Sequence, residues 1–215
     1  LYMPESAVFN LPDQVNMDNA QSFVPIACAN RAVQRANFQP GQTAVVFGSG
    51  HSALIIVQVL KARGAGRVVV VGGSRASRLQ AALEVGADEA IGSTELDLAK
   101  LSAIKPDVVI EASGSTGAFE QAVEVVRPGG TLVVYSIYNT PVQKFDASKL
   151  YRNEIAVIGS KGGKDGYQPA IELLEEGKMT ILPLISHYIK LDDLREAFES
   201  ILKKDPSVFR VVVHP

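Results

Sequence analysis

The residues of this chain best suited to chemistry are a glycine turn and a pair of arginines, and the chemistry they suit is phosphate binding. The run Ala44-Val45-Val46-Phe47-Gly48-Ser49-Gly50-His51-Ser52-Ala53 leads from an apolar stretch through a turn into Leu54 to Leu60. Gly48 permits the tight turn, Gly50 lets a pyrophosphate approach the backbone, and Ala53 is small enough for close helix–strand packing. The N–H groups that open the helix after Ser49, around His51 and Ser52, have no intrahelical acceptor. They form a ready anion site.

In a dinucleotide fold the second strand ends beside the adenosine ribose, about 20 residues beyond the glycine turn. An acid there would accept hydrogen bonds from the ribose hydroxyls. This chain has Val71-Gly72-Gly73-Ser74-Arg75 instead, with Arg78 further on, and Gly73 sits where the acid would be. Without the carboxylate there is no repulsion against a 2′-phosphate, and Arg75 can supply a charge-assisted partner. Such a bond is worth about 1.5–3 kcal/mol, and about 1.4 kcal/mol is a tenfold change in affinity. The expectation is therefore NADP(H) in preference to NAD(H). A blander reading has Arg75 and Arg78 solvating a helix start. The missing acid also counts mildly against an S-adenosylmethionine-binding transferase.

The elements that must position these residues alternate strand and helix signals, which predicts an α/β fold with a parallel sheet. Strands are expected at 44–47, 67–71, 89–91, 107–111, 131–135 and 154–158, and helices at 17–36, 51–63, 75–85, 95–103, 115–126 and 166–176. Most strands are apolar throughout, as in a sheet covered on both faces. Six strands with short crossovers fit a doubly wound sheet of order 3-2-1-4-5-6 (a Rossmann fold). The Ile-Ile-Val content of 54–60 favours a strand locally, but its place after the glycine turn makes it a helix. In the tail, 184–189 alternates, Leu191, Leu194, Phe198 and Ile201 mark one helical face with Asp192 as N-cap, and 209–213 reads as a last strand.

Composition sets the class. The 215 residues are 47% hydrophobic, enough for a substantial core, and the net charge of −2 gives no reason to expect nucleic acid or an anionic membrane as partner. No apolar run reaches the roughly 18 residues that span a bilayer. The single Cys28 excludes an internal disulfide and fits a reducing, cytoplasmic setting; with no His in motif range it reads as a core cysteine. His51, His187 and His214 lack metal-ligand spacing. There is no GxSxG elbow, and Lys161-Gly162-Gly163-Lys164 is not a Walker loop but a hinge-like run. Leu1 opens the chain without an initiator Met, which reads as a domain cut from a longer protein.

With these pieces in place the chain resembles the medium-chain dehydrogenase/reductase family, the alcohol and polyol dehydrogenase group. The resemblance runs through Leu11-Pro12-Asp13, Arg31-Ala32-Val33, Gln39-Pro40-Gly41-Gln42-Thr43, the glycine turn, Val85-Gly86-Ala87-Asp88, Asp107 to Gly114 and Arg127-Pro128-Gly129-Gly130. It implies that residues 1–25 end a truncated catalytic domain and begin a linking helix, that 26–162 form the NAD(P)-binding domain, and that 163–215 return to the catalytic domain. It further implies that Ala112, Ser113 and Gly114 border the adenine-ribose side, that Ser136 and Ile137 hold the nicotinamide carboxamide, and that Ser160 lies nearby. By the same resemblance Arg210 reaches the pyrophosphate, although an edge-strand charge is an even alternative. His51 replaces a usual Pro and lies near the phosphates or is only a turn residue. Zinc-binding relatives carry Cys or Glu before the Pro that opens the linking helix; here Val24 precedes Pro25, which counts against a standard catalytic zinc.

The resemblance implies NADP(H)-dependent interconversion of an alcohol and a carbonyl compound, with catalytic residues lying mainly outside this chain and a small-molecule substrate. It also implies a homodimer or tetramer formed through the sixth strand, whose apolar edge at Ile155-Ala156-Val157-Ile158 would otherwise invite aggregation. A non-catalytic NADPH-sensing module is the alternative.

Overall fold

The computed structural model describes residues 2–5, 8–13, 15–162, 164–203, 205 and 207–214. Gly163, the expected start of the returning segment, lies outside the described residues. Six strands form one parallel sheet: β1 (Thr43–Phe47), β2 (Arg67–Gly72), β3 (Glu89–Gly92), β4 (Val108–Glu111), β5 (Thr131–Val134) and β6 (Ala156–Gly159). Their order is β3-β2-β1-β4-β5-β6, the expected doubly wound order. A separate parallel pair, β7 (His187–Lys190) and β8 (Val211–His214), closes the chain.

Alternation along the strands divides the core in two. Ala44, Val46, Val68, Val70 and Ile110 face one side, where α2 (Phe23–Arg35), α3 (His51–Ala62), α4 (Ala76–Glu84) and α8 (Tyr167–Glu175) cover them. Val45, Phe47, Val69, Val109 and Leu132 face the other, under α5 (Leu98–Ala103) and α6 (Thr116–Val125). Residues Ala53 to Leu60 of α3 are all buried, so this stretch, apolar but for Gln58, is enclosed all round because α2 covers its outer side. That packing overrides the strand preference of its Ile and Val residues. Ala170, Leu173, Leu174, Ile181 and Leu184 join the same core. Two side chains tie that late segment down: Gln58 accepts from the Thr180 amide, and Asn19 accepts from the Ile181 amide, each at 2.9 Å.

Acids that precede strands fix the amino ends of the strands. Asp107 accepts from the Thr43 amide at 2.8 Å and from Arg127 Nε at 2.8 Å. Asp88 accepts from the Val68 amide at 2.7 Å. Burial raises the Asp88 carboxyl, but the Val68 amide and Lys61 outweigh it and hold the group below the usual carboxylate range.

Four details differ from the sequence expectation. The first helix is broken: α1 (Met17–Ala20) ends at Gln21, and α2 begins after Ser22, which is fully buried. The connection from β5 to β6 contains a helix that apolar periodicity does not reveal, α7 (Ala147–Asn153), capped by Asp146 accepting from the Ser148 amide. Only that cap marks its start. Asp192 lies inside a 3-10 turn, Leu191–Asp193, and Asp193 is the cap residue of α9 (Leu194–Leu202), with no side-chain cap bond. Last, β6 starts at Ala156 rather than at 154 and runs to Gly159; as the expected edge of the sheet it is exposed at Ala156, Val157 and Gly159, and β5 is its one strand partner among the described residues.

Because α3 is enclosed by sheet and helices, truncation there leaves a cavity that cannot collapse. Leu54→Ala should lower unfolding stability by about 2–5 kcal/mol, read as a shift of the urea midpoint with an unchanged slope; a loss below half a kcal/mol would contradict this packing.

Candidate functional site

The carboxyl ends of β1, β2 and β4 surround a cavity of about 590 Å³. It lies where the strand order reverses, between β1 and β4, the usual ligand crevice of an open α/β sheet. Gly48, Ser49, Gly50, Gly73, Ser74, Arg75, Arg78, Ala112 and Ser113 all line it. The glycine turn, the arginines and the turn after β4, each expected from sequence, therefore come to one place. Ser93, Ser115, Gly117 and Gln121 line it too and are not among the expected residues. Ser115 has a legible signal, because it caps α6 by accepting from the Ala118 amide.

The turn after β1 depends on close approach. Gly48 has φ +126°, and a methyl group on it would stand 2.9 Å from the Ala112 carbonyl oxygen. Gly50 caps α3 in extended conformation without a side-chain bond, and space for a Cβ there is open. Gly73 is equally open. An anion can thus reach the first amides of α3, and nothing steric at Gly73 explains why no acid stands there.

Across the cavity Glu111 is fully buried at the end of β4. One of its carboxylate oxygens accepts from the Ser113 amide at 2.7 Å, the Ser113 hydroxyl and the Gly114 amide at 3.1 Å; the other accepts from the Tyr138 hydroxyl. Both carboxylate oxygens are thereby hydrogen-bonded, three donors converging on one and one donor on the other. Burial, then the bond to Glu111 and its charge, push the Tyr138 phenol well above its usual range. Glu111 thereby shapes the 112–114 turn and ties it to the loop after β5. Sequence reasoning includes Glu111 in the Asp107 to Gly114 run but assigns it no role, and it does not single out Tyr138.

The remaining expected residues lie outside the cavity lining. His51 opens α3 with Nε2 hydrogen-bonded to Ser22 Oγ at 3.3 Å. Burial, then the charge of Arg210, pull its imidazole down to about 4. Arg210 donates to Gln21 Oε1 at 2.8 Å, while its Nε is buried with no partner among the described residues. His51 and Arg210 therefore share one corner beside the start of α3. Ser52 is hydrogen-bonded to Tyr135, whose phenol is pushed up to about 12 by burial and then by Cys28, with Ser52 acting the other way. Burial raises the Cys28 thiol. Gly114 packs under the Ile137 carbonyl, Ser136 Oγ reaches the Glu111 carbonyl at 3.5 Å, and the Ile137 side chain is exposed. Ser160, after β6, has a buried hydroxyl without a partner among the described residues.

The open positions at Gly50 and Gly73, the uncapped start of α3 and the buried Nε of Arg78, with no partner among the described residues, fit a dinucleotide. For a metal the fit is not there: among the described residues no three His, Cys, Asp or Glu side chains converge, and Val24 stands exposed on the first turn of α2. Among the described residues no helix is long and apolar enough to cross a membrane.

Tyr138→Phe removes one donor from a buried carboxylate and should lower stability by about 1.5–3 kcal/mol in urea titration; an unchanged midpoint would mean the bond is not made. For His51 the folded value of about 4 lies below the unfolded value of 6.5. Its contribution is complete above pH 6.5 and is lost as the pH falls towards 4, because the unfolded chain takes up the proton first. His51→Asn should flatten that part of the stability profile, and identical slopes for both proteins between pH 4 and 7 would refute it.

Known dehydrogenases are similar to this chain over nearly its whole length. The family model described as zinc-binding dehydrogenase matches residues 53–176. Sorbitol dehydrogenase of Halalkalibacterium halodurans is 30% identical over 98% of this chain and 63% of that protein. (R,R)-butanediol dehydrogenase of Neisseria gonorrhoeae is 28% identical over 97% of the chain and 60% of that protein. Among solved structures, 2R,3R-butanediol dehydrogenase of Bacillus subtilis aligns with TM-score 0.88 at 29% identity, covering 96% of this chain and 60% of that one. The chain spans about three fifths of the length of the curated relatives it matches. With more than half of its residues matched by the family model, the chain belongs to the zinc-binding dehydrogenases, the medium-chain alcohol and polyol group, and corresponds to their cofactor-domain portion.

Proposed function

We propose that the chain is the NADP(H)-binding part of an oxidoreductase that interconverts an alcohol and an aldehyde or ketone. The observation that carries the NADP(H) reading is the lip of the cavity at the end of β2. Gly73 is open and bears no carboxylate, and Arg75 and Arg78 line the same cavity. A carboxylate at Gly73 would favour ribose hydroxyls and repel a 2′-phosphate; two guanidinium groups do the reverse.

When bound, the nicotinamide accepts or donates the hydride. The chain's own part is binding and orientation. Ser49, Gly50, His51 and Ser52 would take the pyrophosphate at the start of α3, with Arg210 beside them. Gly73, Ser74, Arg75 and Arg78 would hold the 2′-phosphate. Ala112, Ser113 and Gly114, shaped by Glu111, would border the adenine-ribose side, and Ser136, Ile137 and Ser160 the carboxamide end. His51, kept neutral by burial and Arg210, offers a hydrogen bond there without adding charge. No step is assigned to a metal. Relatives named for sorbitol and butanediol support a small alcohol or polyol as substrate. The same reading takes 1–25 and 163–215 as parts of a catalytic domain flanking 26–162, β6 as the edge of a homodimer or tetramer, and the cytoplasm as location.

Calorimetric titration with NADPH and NADH tests this reading. Wild type should bind NADPH more tightly. Arg75→Ala should cost about 1.5–3 kcal/mol of NADPH binding and leave NADH nearly unchanged, while Gly73→Asp should reverse the preference. Equal affinities in wild type, or a Gly73→Asp variant that still prefers NADPH, would overturn it.

A further inference from the structure

A second cavity, of about 680 Å³, adjoins the first, and Arg75 and Arg78 line both. Its far wall comes from the end of the chain: Phe198, Ile201, Asp205, Phe209 and Arg210. Arg78 crosses between the two. Its guanidinium carbon lies 5.1 Å from the centre of the Phe209 ring, and its Nε is buried with no hydrogen-bond partner among the described residues. Burial, then the charge of Arg75, lower its pKa, so two cations share this rim.

The choice of an aromatic partner has a chemical consequence. A carboxylate would take up the guanidinium's in-plane N–H donors and cancel its charge. A ring engages the flat π face and leaves both the charge and the in-plane donors available. Phe209 is itself held in place. Its amide donates to Ser186 Oγ at 2.9 Å, the Arg210 amide does so at 3.2 Å, and Ser186 Oγ donates to the Arg210 carbonyl at 3.0 Å. The ring also packs against the main core. The segment before β8 therefore presents a fixed aromatic surface to an arginine on the first turn of α4.

We propose that Phe209 is a specificity-determining positioning residue, which holds Arg78 as the second arm of a two-arginine clamp, with Arg75 the first, for a phosphate monoester on the cofactor ribose. This rests on the NADP(H) reading above and adds a residue from the far end of the chain. It makes discrimination between the two cofactors depend on the docking of 207–210 as well as on the lip of β2.

The test compares 2′,5′-ADP with 5′-AMP, which differ only in the 2′-phosphate. Phe209→Leu keeps an apolar side chain without the ring. It should weaken 2′,5′-ADP about three- to thirtyfold, the range of a cation–π contact, and change 5′-AMP less than twofold. Phe209→Tyr should restore the wild-type ratio. In an Arg78→Met background, Phe209→Leu should have no further effect on that ratio, a readout that general loosening would not give. Should Phe209→Leu fail to fold, Phe209→Met takes its place in the same cycle. A ratio unchanged in Phe209→Leu, or both ligands weakened equally, overturns the proposal. If wild type itself does not prefer 2′,5′-ADP, the NADP(H) reading fails and the clamp fails with it; preference in wild type with an indifferent Phe209 sinks the clamp alone.

Discussion

The contact between Gly48 and the end of β4 is the constraint on which the rest of the site depends. The Gly48 amide donates to the Val71 carbonyl at 2.8 Å, and the Ala112 amide donates to the Phe47 carbonyl at 2.8 Å. The turn after β1 is therefore gripped by both neighbouring strands just where the chain leaves them on opposite faces. Any side chain at Gly48 would strike the Ala112 carbonyl and force β1 and β4 apart. The crevice exists because these two strand ends can lie this close and still send their chains apart.

Glu111 does for the second wall what Gly48 does for the first. A buried carboxylate is costly unless it is hydrogen-bonded, and here backbone amides and hydroxyls of the next loops engage both of its oxygens. The cost of burial becomes a geometric specification, since the 112–114 turn and Tyr138 have one arrangement that satisfies the group. Both walls are thus fixed by groups at the ends of strands.

Much of this architecture is legible in the amino-acid sequence. Glycine spacing, apolar runs and turn residues imply six strands in the observed order, and the cavity gathers the glycine turn with Gly73, Arg75 and Arg78. What escapes such reasoning is set by tertiary partners. α7 has little apolar periodicity, because none of its residues is fully buried, and only Asp146 marks it. The break at Ser22 follows from that residue's burial and its contact with His51. The roles of Glu111 and Phe209 are not marked by residue type, because each depends on a distant partner, 27 residues ahead for Glu111 and 131 residues behind for Phe209. Sequence periodicity records which face of an element is buried, but not which particular group it meets.

The distribution of charge follows the same logic. The chain as a whole carries −2, yet Arg75, Arg78 and Arg210 collect at one end of the sheet. Arg78 is matched by a phenyl ring and Arg210 by the Gln21 amide oxygen, partners that orient a guanidinium without neutralising it. Asp205 feels the Arg75 charge but is also held by Ser207 and lies on the second cavity. A weakly negative protein does not draw anions over long distances, so whatever attraction this rim exerts is local, acting within about a Debye length of 8–10 Å and weakening with salt. Partially buried cations with neutral partners are costly in the absence of an anion, and a phosphate at the rim would offset that cost with charge-assisted bonds. The net charge of the chain and the local charge of its cleft are separate properties, and it is the second that bears on what the cleft can hold.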